Sequence, residues 1–343
     1  MSGINPGNVL TEAEGGEPQV PATGEATKAK PAWRSLNFGP RFWIAAVLIV
    51  GIALFAFVGS QLYPYAPDEK VGGLYDAPTA EHILGTDNFG HDVLAVLMAS
   101  TRNSLMLGLL AGVLATAIGV VVGIVAGYVG GWVEELLMGI TNILLAIPVI
   151  IILILILGSL QGTNIDFLKG FTGIALVIGI TAWPWTARAV RAQASSVGAR
   201  EHIDVAKLSG ARTPSILLTD VLPYLASYVV MAFVLQVASA ILLESTLSLL
   251  GLGPSGEDSL GIQLHWALAF QAVASGSWWA FLPPTIVLTL ISFGFLLLQS
   301  SLDEVFNPRL RRGKKKNLAK AAAARAEAAK KLSGQTEVAE VPA

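Results

Sequence analysis

Few residues in this chain have the types and spacing to do chemistry, and most of them lie in one stretch, His82-Ile-Leu-Gly-Thr-Asp-Asn-Phe-Gly-His-Asp92. Imidazoles and carboxylates side by side could ligate a metal, but the spacing of His82, Asp87, His91 and Asp92 matches no metal motif. The preferred reading is a Gly-rich turn that caps a short interfacial helix beginning near Asp87 or Asn88. Glu257, Asp258 and His265 form a second polar group, in a segment without a basic residue. Glu244 is the only acidic residue near membrane depth. With no Cys in the chain, disulfides, thiolate metal sites and thiol nucleophiles are excluded. There is no His-Glu-x-x-His, no nucleophile elbow and no pair of carboxylates within an apolar run, so a membrane enzyme is disfavoured. A Gly-x-x-x-x-Gly-Lys-Ser/Thr phosphate loop is also missing. Leu332-Ser-Gly-Gln335 echoes an ATPase signature by chance. No cofactor or metal is expected, and no catalytic residue is assigned.

The elements that carry these residues are apolar. Of 343 residues, 53% are hydrophobic and 13% charged, against about 25% charged in soluble domains. A membrane helix needs roughly 20 apolar residues. Six runs qualify: Phe42 to Leu62, Asn103 to Val133, Leu136 to Ile165, Gly170 to Ala187, Val221 to Leu243 and Trp279 to Leu302. The second is too long for one upright helix and must tilt or protrude. The predicted fold is all-α, a bundle of six transmembrane helices with both termini on one side. Nineteen of the 22 Lys and Arg residues then fall on the side of the termini. The positive-inside rule makes that side cytoplasmic, in a multi-pass protein of the cell membrane. An ion-coupled secondary transporter usually needs ionisable groups within its spans, and these spans lack them.

Gly108, Gly112, Gly119, Gly123 and Gly127 recur at four-residue steps in the second span, apart from the 112–119 gap. Small residues so aligned let helix backbones approach closely, which makes this helix central. Pro148 and Pro184 favour kinks in the third and fourth spans. The segment boundaries are a disordered, acidic tail (1–33), a first helix and outer loop (34–101), the main membrane domain (102–302) and a basic tail (303–343).

The longest internal loop runs from about Arg188 to Leu222 and is patterned. Glu201, His202, Ile203, Asp204, Val205, Ala206 and Leu208 form a short helix with an apolar side made by Ile203, Ala206 and Leu208. Gly210 can stop it in the left-handed conformation. Thr213-Pro214 starts a second short helix, and Leu222-Pro223 follows. Such a helix pair needs a covering partner or a membrane surface.

This loop resembles the EAA loop of type I ABC importer permeases, whose pattern is matched by Asp204-Val205-Ala206, Gly210 and Leu222-Pro223, with Asp for Glu and Val for the first Ala. Other segments resemble the dipeptide/oligopeptide/nickel permease group, C-type subunit. They are His82-Ile-Leu-Gly-Thr-Asp, Gly127-Tyr-Val-Gly-Gly-Trp132, Leu144-Leu-Ala-Ile-Pro148, Ala189-Val-Arg-Ala-Gln193 and Glu244-Ser-Thr-Leu-Ser-Leu-Leu-Gly-Leu-Gly253. His91 stands where the group usually has Arg. The resemblance spans about residues 35 to 312. It implies a permease subunit for di- or oligopeptides, with nickel or metal-chelate uptake as the alternative. It also implies a second homologous permease, two cytosolic ATPase subunits that bind ATP, and an extracytoplasmic solute-binding protein. The first loop helix would dock on the ATPase through Ile203, Ala206 and Leu208. A bulky side chain at Gly123 would disturb assembly with the second permease. Glu244 would be a structural or gating group.

Overall fold

The computed structural model describes residues 38–162 and 165–306. The acidic and basic tails expected at the two ends lie outside the described residues. Apolar side chains and the need to satisfy every backbone amide internally make these segments helical. Five helices are long and apolar enough to cross a membrane: α1 (Pro40–Leu62), α2 (Val93–Val129), α5 (Phe171–Gly198), α7 (Thr213–Leu249) and α9 (Trp278–Phe306). Between α2 and α5, helices α3 (Gly131–Ala146) and α4 (Val149–Gln161) are bent by 81° at a break. They make a sixth crossing if read as one span. Among the shorter helices are α6 (Glu201–Leu208) and α8 (Leu260–Ala269), besides a single turn at Asp166–Lys169.

Three differences from the sequence reading have clear causes. First, the 136–165 run is not one helix. Ile147 leaves the helical conformation ahead of Pro148, as residues before proline do, and α4 starts afresh after it. Second, the short helix expected at Thr213 is the first turn of the fifth span. That span also runs past Leu243 and includes Glu244, which was placed just beyond it. Pro223 is accommodated because the preceding turn, Leu217–Val221, widens to a π turn. This relieves the clash of its ring with the carbonyl four residues back. Third, no interfacial helix begins at Asp87. Asp92, fully buried, caps α2 itself, its Oδ1 accepting from the amides of Leu94 (2.9 Å) and Ala95 (3.0 Å).

At about 1.5 Å per residue, α2 is roughly 55 Å long, well beyond an ~30 Å hydrocarbon core. It packs most extensively on α5 and then on α7. Three apolar clusters hold the bundle, and α2 and α7 contribute to all of them. One joins Leu97 and Leu105 to Val237, Ile241, Leu260, Ile291 and Phe295. A second joins Leu107 to Leu153, Ile178 and Leu247. A third joins Val120 and Ile124 to Val190, Val197, Ile203 and Leu225. Outward-facing Val47, Leu54, Phe293 and Leu296 stay exposed on α1 and α9, as expected for helices bathed in lipid rather than water.

The glycine stripe of α2 touches two neighbours within the same chain. A Cβ at Gly112 would come within 2.6 Å of Val237 on α7, and one at Gly108 would collide with Ile241. Farther along, a Cβ at Gly119 would meet Thr186 at 2.6 Å, and one at Gly123 the Ala187 carbonyl at 2.7 Å. Gly127 faces the Arg191 carbonyl at 2.5 Å on the same terms. The close approach expected of small residues is present, but against α7 and α5 of this chain. The expected effect at Gly123 on subunit assembly is therefore replaced by one on the chain's own packing.

Candidate coupling loop and buried polar cluster

Helix α6 sits in the patterned loop, with the boundaries expected from the sequence. Its N-cap Arg200 is extended, and Gly210 just beyond its end has φ +78°. No atom lies within 4 Å of a Cβ built at Gly210, so what favours glycine there is backbone conformation alone. Ile203 is fully buried in the cluster formed by the ends of α2, α5 and α7, and Ala206 packs against the same cluster. Two of the three apolar residues assigned to a partner, Ile203 and Ala206, thus cover the chain's own bundle, while Leu208 faces away from it. Periodicity identified the face but not its neighbour. The residues left facing outward are Glu201, Asp204, Val205, Lys207 and Leu208, with Val205 62% and Leu208 89% exposed.

Aromatic rings fasten this helix further. His202 lies on Tyr224, ring centroids 4.9 Å apart, with the Arg200 guanidinium 5.1 Å from the same ring. Lys207 Nζ stands 5.5 Å from the Tyr128 ring of α2. Leu222 packs against the buried cluster beneath α6, next to Pro223. Glu134 of α3 forms an ion pair with Arg191 of α5. Neither was singled out as a site residue. Glu134 has no notable neighbour in sequence, and only the fold brings it to Arg191.

Glu244 lies within α7 rather than past its end, and it is fully buried. No basic side chain pairs with it among the described residues. Ser248 Oγ donates to its Oε1 at 2.6 Å and Ser245 Oγ to its Oε2 at 3.3 Å. Ser259 Oγ, the N-cap of α8, reaches Ser248 Oγ at 3.4 Å and accepts from Ile262 N. Ser104 of α2 accepts from the Leu260 amide at 3.1 Å. The carboxylate is therefore solvated by hydroxyls drawn from α7 itself and backed by α2 and α8. The partnering serines were missed because their hydroxyls carry no sequence signal of their own.

At the same end of the bundle, away from α6, the histidines of the first loop are engaged separately. His82 Nδ1 lies 2.8 Å from Asp92 Oδ2, which also accepts from the Tyr63 hydroxyl at 3.1 Å. Burial and the Asp92 charge push the Tyr63 hydroxyl up to about 12. His91 Nδ1 lies 3.4 Å from Asp87 Oδ2. Among the described residues no group of three or more His, Asp or Glu is arranged to hold a metal. Burial also raises the pKa of Asp258, a shift that the His91 charge opposes and that Asp87 and Asp68 reinforce.

Sequence comparison decides the family. Residues 119–312 match the family model of binding-protein-dependent transport system inner membrane components. The chain belongs to that family. An oligopeptide transport system permease, OppC of Mycobacterium tuberculosis, is 32% identical over 79% of this chain and 91% of its own length. A dipeptide transport system permease, DppC of Bacillus subtilis, is 29% identical over 82% of this chain and 86% of its own. OppC of Lactococcus lactis subsp. cremoris is 28% identical over 78% of this chain and 90% of its own. Among solved structures, an inward-facing form of the MetNI methionine ABC transporter matches at TM-score 0.47 and 19% identity, covering 60% of this chain and 96% of that one. Members of this inner-membrane-component family are transport subunits rather than enzymes, and this one is a multi-pass membrane protein.

Proposed function

We propose that the chain is one of two permease subunits of an ATP-driven peptide importer and forms half of its translocation path. The observation that carries this reading is the near full-length similarity to permeases named for dipeptide and oligopeptide transport. The nickel or metal-chelate alternative is not favoured, since these relatives are named for peptides. Family membership sets aside the secondary-transporter reading.

In this reading, the termini and α6 face the cytoplasm of a prokaryotic cell and the 63–92 segment faces outward. A homologous second permease completes the path, an extracytoplasmic binding protein delivers solute, and two cytosolic ATPase subunits bind ATP. The chain itself needs no cofactor. The ATPase docks on the outward face of α6, around Val205 and Leu208. Because α6 is packed on the ends of α2, α5 and α7, displacement there moves three spans together. Such rigid coupling suits alternating access by bodies rocking against one another.

The test is reconstitution of the four membrane and cytosolic subunits with the neighbouring binding protein in proteoliposomes. ATP-dependent accumulation of a labelled tripeptide, with none of a nickel chelate, is expected. Nickel uptake without peptide uptake would overturn the substrate class, and uptake driven by an ion gradient without ATP would overturn the mechanism.

A further inference from the structure

At the break between α3 and α4 an open-sided cavity of about 420 Å³ lies between the bent pair, α5 and α7. That size is within the range of small-molecule sites, about 300–1,000 Å³. No ionisable side chain lines it. Of its polar side chains, Thr181 on α5 donates its hydroxyl proton to the Val177 carbonyl at 2.8 Å, and the other polar groups stand on two further walls. On α7, Gln236 is only 6% exposed. Its Nε2 donates to the Ala182 carbonyl at 3.0 Å and to Thr186 Oγ1 at 2.7 Å. A backbone carbonyl can only accept, so the amide nitrogen must face α5. Gln236 Oε1 is thereby turned away from α5. It has no donor among the described residues, and it is not among the orphan polar atoms sealed from solvent, so it opens on the cavity that the residue lines. Ser239, three residues on and on the same helix face, also lines the cavity. On the facing wall, Pro148 ends one helical segment and Val149 begins the next. The first amides of a helix have no intrahelical acceptor. Ile151 N bonds the Pro148 carbonyl, which leaves the amides of Val149 and Ile150 open.

An acceptor on one side and amide donors on the other complement a peptide bond, whose N–H and C=O point in opposite directions. We propose that this cavity holds a main-chain amide of the passing solute, Gln236 Oε1 accepting its N–H and the open end of α4 donating to its C=O. The inference rests on the peptide-importer reading above. With uncharged walls, the site reads the backbone and is indifferent to side-chain charge, which lets one path carry peptides of differing sequence.

The test uses the reconstituted complex with two probes, Ala-Ala-Ala and the same tripeptide N-methylated at both of its peptide nitrogens. Both are delivered by the same binding protein, so its own preference cancels when variants are compared with wild type. Gln236→Leu should lower Ala-Ala-Ala uptake roughly fivefold to tenfold, the scale of one lost hydrogen bond. It should leave uptake of the N-methylated probe unchanged. Val149→Pro, at a first helical position where proline fits, removes one donor and should lower uptake of both probes alike. Equal losses for both probes in Gln236→Leu would mean a merely structural side chain and would overturn the proposal. So would wild-type behaviour of both variants. Loss of the second permease on purification of Gln236→Leu would make the cavity a subunit interface and overturn it too. If wild-type complex carries neither tripeptide, it is the peptide-importer reading that fails.

Discussion

Glu244 is a carboxylate without a cation beside it, and its hydroxyl shell decides what substitutions do. Ser248→Ala removes the 2.6 Å bond and leaves a buried acceptor unsatisfied, a loss of about 1–3 kcal/mol. Glu244→Gln keeps the shape and most acceptors, so it should unfold closer to wild type than Ser248→Ala in thermal melts of the detergent-solubilised protein. Asp258 makes a second prediction. Burial raises its pKa in the fold, so the folded state binds its proton more tightly than the unfolded chain. Its contribution is therefore most favourable below the unfolded value, about 3.9. It falls as pH rises through that value to the raised one. Asp258→Asn should flatten this decline, giving a melting temperature less sensitive to pH than wild type across the acidic range. Gly123→Leu should reduce the yield of folded permease even when expressed without partners, because its side chain would enter the α5 backbone.

At the scale of the element, α6 combines a fastened face with an open one. Val205→Glu and Leu208→Glu leave Ile203 and the buried cluster untouched, so membrane insertion should be normal. ATPase co-purification and ATP-dependent uptake should both fall at least tenfold, and retention of the ATPases at wild-type level would refute the docking face. At Gly210 the left-handed backbone costs a β-branched residue roughly 1–2 kcal/mol. Gly210→Val should therefore weaken coupling, while Gly210→Asn, which tolerates this conformation, should restore it. The boundaries of α6 were legible because Gly210 and Thr213-Pro214 are local signals. Its orientation was not. Ile203, Ala206 and Leu208 share similar apolarity, and only the ends of α2, α5 and α7 decide that Ile203 turns inward and Leu208 outward. The same limit applies to α3 and α4. Pro148 announces a disturbance, but an 81° bend depends on what the following helix packs against. Gln236 and Ser104 carry no motif, so their places in the cavity and beside Glu244 could not be read from residue type.

For the whole molecule, the six-crossing reading requires α3 and α4 to act as one span. The chain contains no Cys, so single cysteines report topology cleanly. Glu81→Cys should react with an impermeant maleimide in intact cells, and Lys207→Cys only after permeabilisation. Labelling of both from outside would mean the bent pair re-enters rather than crosses.

The ends of the bundle are also joined by different kinds of contact. Opposite α6, backbone and side-chain hydrogen bonds bind separate elements together. Asn103 Nδ2 donates to the Asp258 carbonyl at 2.8 Å, Trp279 Nε1 to the Thr86 carbonyl at 3.1 Å, and Ser255 N to the Lys169 carbonyl at 2.9 Å. Around α6 itself the fastening is apolar contact and rings beside cations, the Glu134–Arg191 ion pair being the directional contact between α3 and α5. Directional bonds resist sliding, whereas greasy surfaces and stacked rings tolerate it. The bundle is thus built like a hinged book, with a stitched spine at one end and loose page edges at the other, and under the proposed coupling work applied at α6 would open the pages without tearing the spine.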